Sequence, residues 1–260
     1  MLSRNDIKTL ARLHQKKYRR LEQKMLVEGA RLTFEALQSD WTITRVLHTH
    51  AFRSTPQAEK IFELAKKRSI PTIETTQIEF KKISDTVNSQ GVIAEVEMKN
   101  WGDNPLHCLR ENHKCLMVAI EKLQDPGNLG TIMRTAEWLG ADALILGPDT
   151  VSWSNMKALR ASMGAVFHLP IFEVDDFVGT LELAKRYGAT IYAADQRGDF
   201  PYTTLRYPAK KILLLGGEVK GISEQALALS DLNIVIPARG KGESLNVAIA
   251  AAILMAEMSR

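Results

Sequence analysis

A chain of 260 residues with 45% hydrophobic and 25% charged residues has the proportions of an ordinary globular protein and can bury one large or two modest cores. No apolar segment follows Met1 and no apolar run approaches the ~18 residues of a membrane span, which excludes a membrane-spanning helix and predicts a cytoplasmic protein. The net charge of +4 is uneven: residues 1–100 carry 18 Lys and Arg against 12 Asp and Glu, while residues 101–260 carry 16 against 18. The two cysteines, Cys108 and Cys115, fit neither the spacing of a zinc site nor a secreted disulfide framework, and read as reduced thiols.

In chain order, hydrophobic periodicity predicts helices over 3–15 and Val27–Leu37, then a strand over Trp41–Leu47. A helix at Gln57–Lys67, a strand near Pro71–Glu74, a helix at Gln77–Ile83 and a strand at Gly91–Glu97 complete an α/β unit over residues 1–100, with a linker at 101–113. The basic excess belongs to this unit. Arg4, Lys8, Arg12, Lys16 and Arg20 are spaced by four, so a continuous helix would align them into a stripe able to track phosphates, or simply into a solvated face. His48 and His50, two apart on a strand, share one face but lack a third metal ligand, so no metal is expected.

A second α/β series fills residues 114–260. It opens with a strand at Leu116–Ile120, a loop Glu121–Asn128 and a helix Leu129–Leu139 closed by Gly140. Strands follow at Ala143–Leu146 and Val166–Pro170 around a helix at Asn155–Met163, then a helix Phe177–Tyr187 and a strand Ile191–Ala194. Two further short apolar runs, Ile212–Leu215 and Ile234–Ile236, each lead into a glycine-rich loop. The first, Gly216 to Gly221, has three glycines in six residues and lets a ligand approach bare backbone. The second, Pro237 to Ser244, ends in Ser244-Leu245-Asn246, where a capping hydroxyl precedes the apolar helix Leu245–Met258. If the two strands are neighbours, their loops form one crevice at the C-terminal edge of the sheet. In the loop Asp125 to Gly130, Asn128 reads as a helix cap that places Arg134 one turn inside the helix. There a cation opposes the helix dipole, which calls for a reason; the alternative is a pair with Glu137.

Taken together, Asn128-x-Gly130-x3-Arg134, Gly216-Gly217-Glu218-x2-Gly221 and Ile236-Pro237-x2-Gly240-x3-Ser244-Leu245-Asn246-Val247 resemble, in order and spacing, the three motifs of SpoU (TrmH-like) RNA 2′-O-ribose methyltransferases of the SPOUT superfamily. Lys16-Lys17-Tyr18-Arg19 followed by Val27-Glu28-Gly29 is similar to the ribosomal-protein-like RNA-binding domain of many members. The resemblance implies a C-terminal α/β domain with a mostly parallel sheet and a deep trefoil knot, a homodimer formed through that domain, and S-adenosylmethionine as methyl donor. By position, Gly216, Gly217, Gly221, Ile236 and Leu245 would contact the cofactor. Arg134, Asn128, Glu218, Ser244 and Asn246 would surround the transferring methyl, and Lys8, Arg12, Lys16, Lys17, Arg19 and Arg20 would hold RNA. Ribosomal RNA is the preferred substrate, with tRNA open. An RNA-binding or ribosome-assembly protein that keeps the fold without turnover is the alternative.

Overall fold

The computed structural model describes residues 2–102 and 104–260; Asp103, inside the expected linker, lies outside them. The chain divides into two compact units. One holds the chain up to Asn100 together with Ser152–His168, and the other Trp101–Val151 with Leu169–Arg260.

Helix α1 (Arg4–Arg12) opens with a capping box, Ser3 and Asp6 each receiving the other's backbone N–H. It stops at Leu13, and a second helix, α2 (Lys16–Glu22), follows a break. The continuous basic stripe over residues 4–20 is therefore not formed. The break has a local cause: Leu10 and Leu13 are drawn into the core, and the Arg19 guanidinium donates to the carbonyls of Leu13 at 3.0 Å and His14 at 2.8 Å.

The expected helix Val27–Leu37 also divides, into β1 (Lys24–Glu28) and α3 (Ala30–Gln38). Met25, Leu26 and Val27 are all buried, and Gly29 turns the chain at a φ of 106° that favours glycine. Next come β2 (Ile43–Thr49), α4 (Pro56–Lys67), β3 (Thr72–Thr75), α5 (Gln77–Ile83) and β4 (Val92–Glu97). The sheet order is β1-β4-β2-β3, antiparallel except for the β2–β3 pair. His48 and His50 do not share a face: His48 is buried with its ring edge-on to Phe62, and His50 lies beyond the strand, paired with Glu74.

The remaining elements are α6 (His107–Glu111), β5 (Cys115–Glu121), α7 (Pro126–Trp138), β6 (Ala143–Leu146), α8 (Met156–Ser162), β7 (Ile171–Glu173), α9 (Phe177–Arg186), β8 (Thr190–Ala194), β9 (Phe200–Pro201), β10 (Lys210–Gly216), α10 (Glu224–Leu227), β11 (Leu232–Val235) and α11 (Val247–Met258). The strand expected at Val166–Pro170 is not formed there: a 3-10 turn occupies Ala165–Phe167, and the strand begins only at Ile171.

Helix α8 belongs to the first unit, although its sequence neighbours belong to the second. Met156 joins the core of Leu10, Leu26 and Ile93. Arg160 reaches Asp85 at 2.9 Å, and Arg19 donates to Ser154 at 2.9 Å. Trp41 packs edge-on to Trp153 and Phe167 with centroids 6.2 and 5.2 Å away.

The second unit is built on a seven-stranded sheet in the order β7-β6-β5-β10-β8-β11-β9, with every pair parallel. The run Met117–Ile120 of β5 and the run Ile212–Leu215 of β10 are buried throughout, as expected of strands covered on both faces. The chain runs outward from β5 to β7 and returns to place β10 beside β5, so β5 and β10 flank a point where strand order reverses. β10 and β11 are not neighbours as expected: β8 lies between them. The strand whose end faces the first glycine loop is β5, with Glu121 in register with Gly216.

Candidate active site

The ends of β5 and β10 carry the site. After Glu121 the backbone turns through Lys122 at a φ of 58°, and α7 begins at Pro126 with Asp125 as its cap, accepting from Asn128 N at 2.8 Å. Asn128 is thus not the cap. The helix starts earlier because Pro126 cannot donate and fits its first position, leaving the Asn128 side chain free for other partners. Arg134 lies two turns inside α7 rather than one, and the dipole argument lapses. It is exposed, and it makes no hydrogen bond or ion pair with any described residue; the alternative pair with Glu137 is not formed.

The first glycine loop is set by backbone clearance. A side-chain carbon at Gly217 would fall on the Lys122 carbonyl, and one at Gly216 on the backbone of Gly221 and Ile222. Gly221, at a φ of 59°, donates its N–H to the Gly217 carbonyl at 2.9 Å and closes the loop. Beyond it, Ser223 N donates to the buried carboxylate of Glu121 at 2.5 Å, while Ser223 Oγ caps α10. Glu121 therefore ties the far side of the loop to the end of β5. The sequence reading missed this role, although an acidic residue closing a buried apolar strand was the available signal.

The second glycine loop ends at α11. Asn246 is the cap, its Oδ1 accepting from Ala248 N at 2.9 Å and Ile249 N at 3.3 Å. Ser244, expected to cap, is exposed and makes no hydrogen bond to a described residue. An amide holds this position better because its second group stays available: Asn246 Nδ2 donates to Asn128 Oδ1 at 3.0 Å, and Asn128 Nδ2 donates to Glu218 Oε1 at 2.5 Å. One chain of hydrogen bonds thus joins Asn246, Asn128 and Glu218, one residue from each of the three motifs. Arg134 and Ser244 make no hydrogen bond to this chain.

The residues have the character an adenosyl ligand needs. Residues 237–245 make no hydrogen bond to any described residue, so their backbone donors and acceptors remain available. Leu245, 50% exposed, and the half-buried Ile236 add apolar surface beside them. Among the described residues no group of three or more His, Cys, Asp or Glu is placed to hold a metal ion.

Of the residues expected to hold RNA, Lys8, Arg12, Lys16, Lys17 and Arg20 are exposed, and the Arg12 guanidinium lies over the Tyr18 ring at 5.4 Å. Arg19 is a correction. It is only 3% exposed, its guanidinium is engaged by two carbonyls and Ser154, and it cannot meet a phosphate while so held.

In an all-parallel α/β sheet, the loops at a strand-order reversal form the crevice in which such proteins bind ligands. Residues 115–256 match the SpoU rRNA Methylase family, and residues 4–94 match the MRM3-like substrate binding domain. The chain is 32% identical to the 23S rRNA (guanosine(2553)-2′-O)-methyltransferase RlmP of Bacillus subtilis (strain 168) over 96% of its own length and 94% of the relative's. Among solved structures it is similar to the AdoMet-bound rRNA methyltransferase from Sinorhizobium meliloti, with 28% identity, a TM-score of 0.82, and 99% and 96% of the two chains covered. It is also similar to a putative RNA methyltransferase of the TrmH family from Porphyromonas gingivalis, with 33% identity, a TM-score of 0.81 and coverage of 99% and 98%. The chain belongs to the SpoU rRNA Methylase family.

Proposed function

We propose that this protein transfers a methyl group from S-adenosylmethionine to a ribose 2′-hydroxyl of ribosomal RNA. The observation that carries the reading is the hydrogen-bonded chain Asn246–Asn128–Glu218, which draws the three family motifs into one site. S-adenosylmethionine, when bound, supplies an electrophilic methyl. Gly216, Gly217 and Gly221 would admit it against bare backbone, with Ile236 and Leu245 on its apolar side.

What remains for the protein is alignment and removal of one proton, and alignment alone can supply up to ~7–11 kcal/mol. Arg134 is always protonated and is no base. Unpartnered on the exposed face of α7, its guanidinium is suited to hold the RNA phosphate next to the reacting ribose and to polarise the hydroxyl, with the proton leaving to phosphate or water. Glu218 already accepts from Asn128, which favours a structural role over that of base. Ser244, whose hydroxyl has no partner, stands beside these as a substrate contact. In the N-terminal unit, Lys8, Arg12, Lys16, Lys17 and Arg20 would supply the phosphate grip.

The reading includes a trefoil knot, supported by β10 lying between β5 and β8, both earlier in the chain, and by the passage of Gly217 too close to Lys122 for any side chain. It also includes a homodimer through the C-terminal domain. Trp138 on α7 is 84% exposed and Ile249 on α11 is 51% exposed, and these helices pack together, so their outer apolar surface calls for a cover. Light scattering at micromolar concentration gives twice the chain mass if so. The reading includes a cytoplasmic location, in keeping with a ribosomal RNA substrate, and no helix of the described residues is long and apolar enough to cross a membrane.

The test is methyl transfer from radiolabelled S-adenosylmethionine to ribosomal RNA from a strain lacking the protein. Label recovered in an alkali-resistant dinucleotide marks a 2′-O-methyl product. Label on a base, or none on ribosomal RNA, overturns the reading.

A further inference from the structure

The chain contains two cysteines, and the fold brings them together. Cys108 lies in α6 and Cys115 begins β5, and their sulfur atoms are 2.6 Å apart. That approach lies between the ~2.05 Å of a disulfide and an ordinary non-bonded contact, and both thiols are free.

The two sulfurs differ in environment. Cys115 is buried at the start of β5, its backbone N–H held by the Ala209 carbonyl at 2.9 Å. Cys108 is half-buried and lines a cavity of about 340 Å³ together with Trp101, Pro105, Ala143, Pro170 and Phe172. Either thiol can donate across the contact; the hydrogen bond from Cys115 pushes the Cys108 thiol below its ordinary range, against the opposing effects of burial and the Asp142 carboxylate. The same hydrogen bond, with burial, pushes Cys115 up. One thiol is thus accessible and more readily ionised, and the other is shielded and within reach, the arrangement of an attacking and a resolving cysteine.

We propose that Cys108 and Cys115 form an oxidisable dithiol that a hydroperoxide closes into an intramolecular disulfide. The Cys108 thiolate attacks the peroxide; its S–O bond forms as the O–O bond breaks, and with hydrogen peroxide the departing hydroxide takes up the proton Cys108 gave up and leaves as water. Cys115 sulfur then attacks the Cys108 sulfenic acid; the S–S bond forms as the S–O bond breaks, and the second hydroxide carries off the Cys115 proton as water. Two thiols and one hydrogen peroxide give one disulfide and two waters, and a thiol reductant reverses the result. The site stands at the opposite end of β5 from Glu121, six residues or about 20 Å along the strand, so it is separate from the methyl-transfer crevice.

The test uses the full chain treated with a few equivalents of hydrogen peroxide, alkylated without reductant and weighed intact. The expected result is a monomeric chain lighter by two hydrogens with no alkylated cysteine, restored to two alkylated cysteines by dithiothreitol. Cys115→Ser should instead accumulate a sulfenic acid at Cys108 that dimedone traps, while Cys108→Ser should leave Cys115 unmodified at the same dose. Two alkylated thiols in treated wild-type protein, a chain linked to a second chain, or Cys108 sulfinic acid formed as readily in wild type as in Cys115→Ser would each overturn the proposal. The wild-type mass decides the matter even if a variant fails to fold.

Discussion

The basic segment of α1 and α2 and the glycine loops around β5 and β10 were both singled out by sequence pattern, and they fared differently. In the first, four-residue spacing suggested one cationic stripe, yet the helix breaks at residues 13–15 and Arg19 is turned inward to hold the carbonyls at the break. In the second, Gly217, Asn128, Glu218 and Asn246 stand at the end of the parallel sheet, drawn into one loop cluster. A long cation with five donors can serve a phosphate or a backbone carbonyl equally well, so its sequence position says little about which. A glycine whose missing side chain is required by a neighbouring carbonyl has only one use.

The largest effect that would sharpen this contrast is expected from Gly217→Ala. Its added carbon would fall on the Lys122 carbonyl, and overpacking of this kind typically costs about 1–3 kcal/mol. Because the displaced backbone is the loop proposed to hold the cofactor, S-adenosylmethionine binding by calorimetry should drop below detection while the far-UV spectrum stays unchanged. Retained binding would show that the loop is not so confined.

Within the basic segment, neighbours should separate. Arg19→Ala removes charged hydrogen bonds to Leu13, His14 and Ser154 and should lower unfolding stability by about 2–3 kcal/mol. Lys17→Ala, at an exposed position, should leave stability alone, weaken RNA binding and reduce the salt slope by up to ~0.7 for a single-stranded contact. If Arg19→Ala instead behaves like Lys17→Ala in denaturant and in salt titration, the distinction between the buried and the exposed cation fails.

A smaller effect concerns pH. Burial of His48 against Phe62 holds its pKa below the ordinary 6.5, opposed by the Thr49 carbonyl and the Glu74 carboxylate. The unfolded chain therefore binds this proton more readily than the folded one. Stability from this group is complete above about pH 6.5 and declines as pH falls from there toward the folded value. Denaturant midpoints measured between pH 7.5 and 5 should show a shallower acid decline in His48→Leu than in wild type; identical slopes would contradict the assignment.

What was legible followed from how local each signal is. The apolar runs of β5 and β10 announced buried strands because both their faces are covered. The glycine loops announced a crevice on the condition that β10 and β11 are neighbours, and nothing in either run could reveal that β8 lies between them. Likewise, the helical period read over Val27–Leu37 is interrupted at Gly29, where β1 gives way to α3. The placement of α8 was illegible for a longer-range reason: Met156 and Arg160 find their partners, Leu26 and Asp85, more than seventy residues away. At the site, the residue types were readable and their roles less so. Asp125 caps α7 in place of Asn128, and Asn246 caps α11 in place of Ser244, and these two exchanges free the amides to link the three motifs.

Whether the crevice transfers a methyl group with Arg134 positioning the RNA is tested most directly by single-turnover methyl transfer by Arg134→Ala at saturating S-adenosylmethionine and ribosomal RNA. Arg134 is exposed and contacts no described partner, so the variant should fold and bind cofactor as wild type does. The account predicts that its transfer rate falls by about 100-fold or more, the scale of losing a transition-state contact, and that Arg134→Lys restores little because an ammonium cannot reproduce a planar two-point contact. A near wild-type rate in Arg134→Ala would contradict the account and shift the test for a base to Glu218.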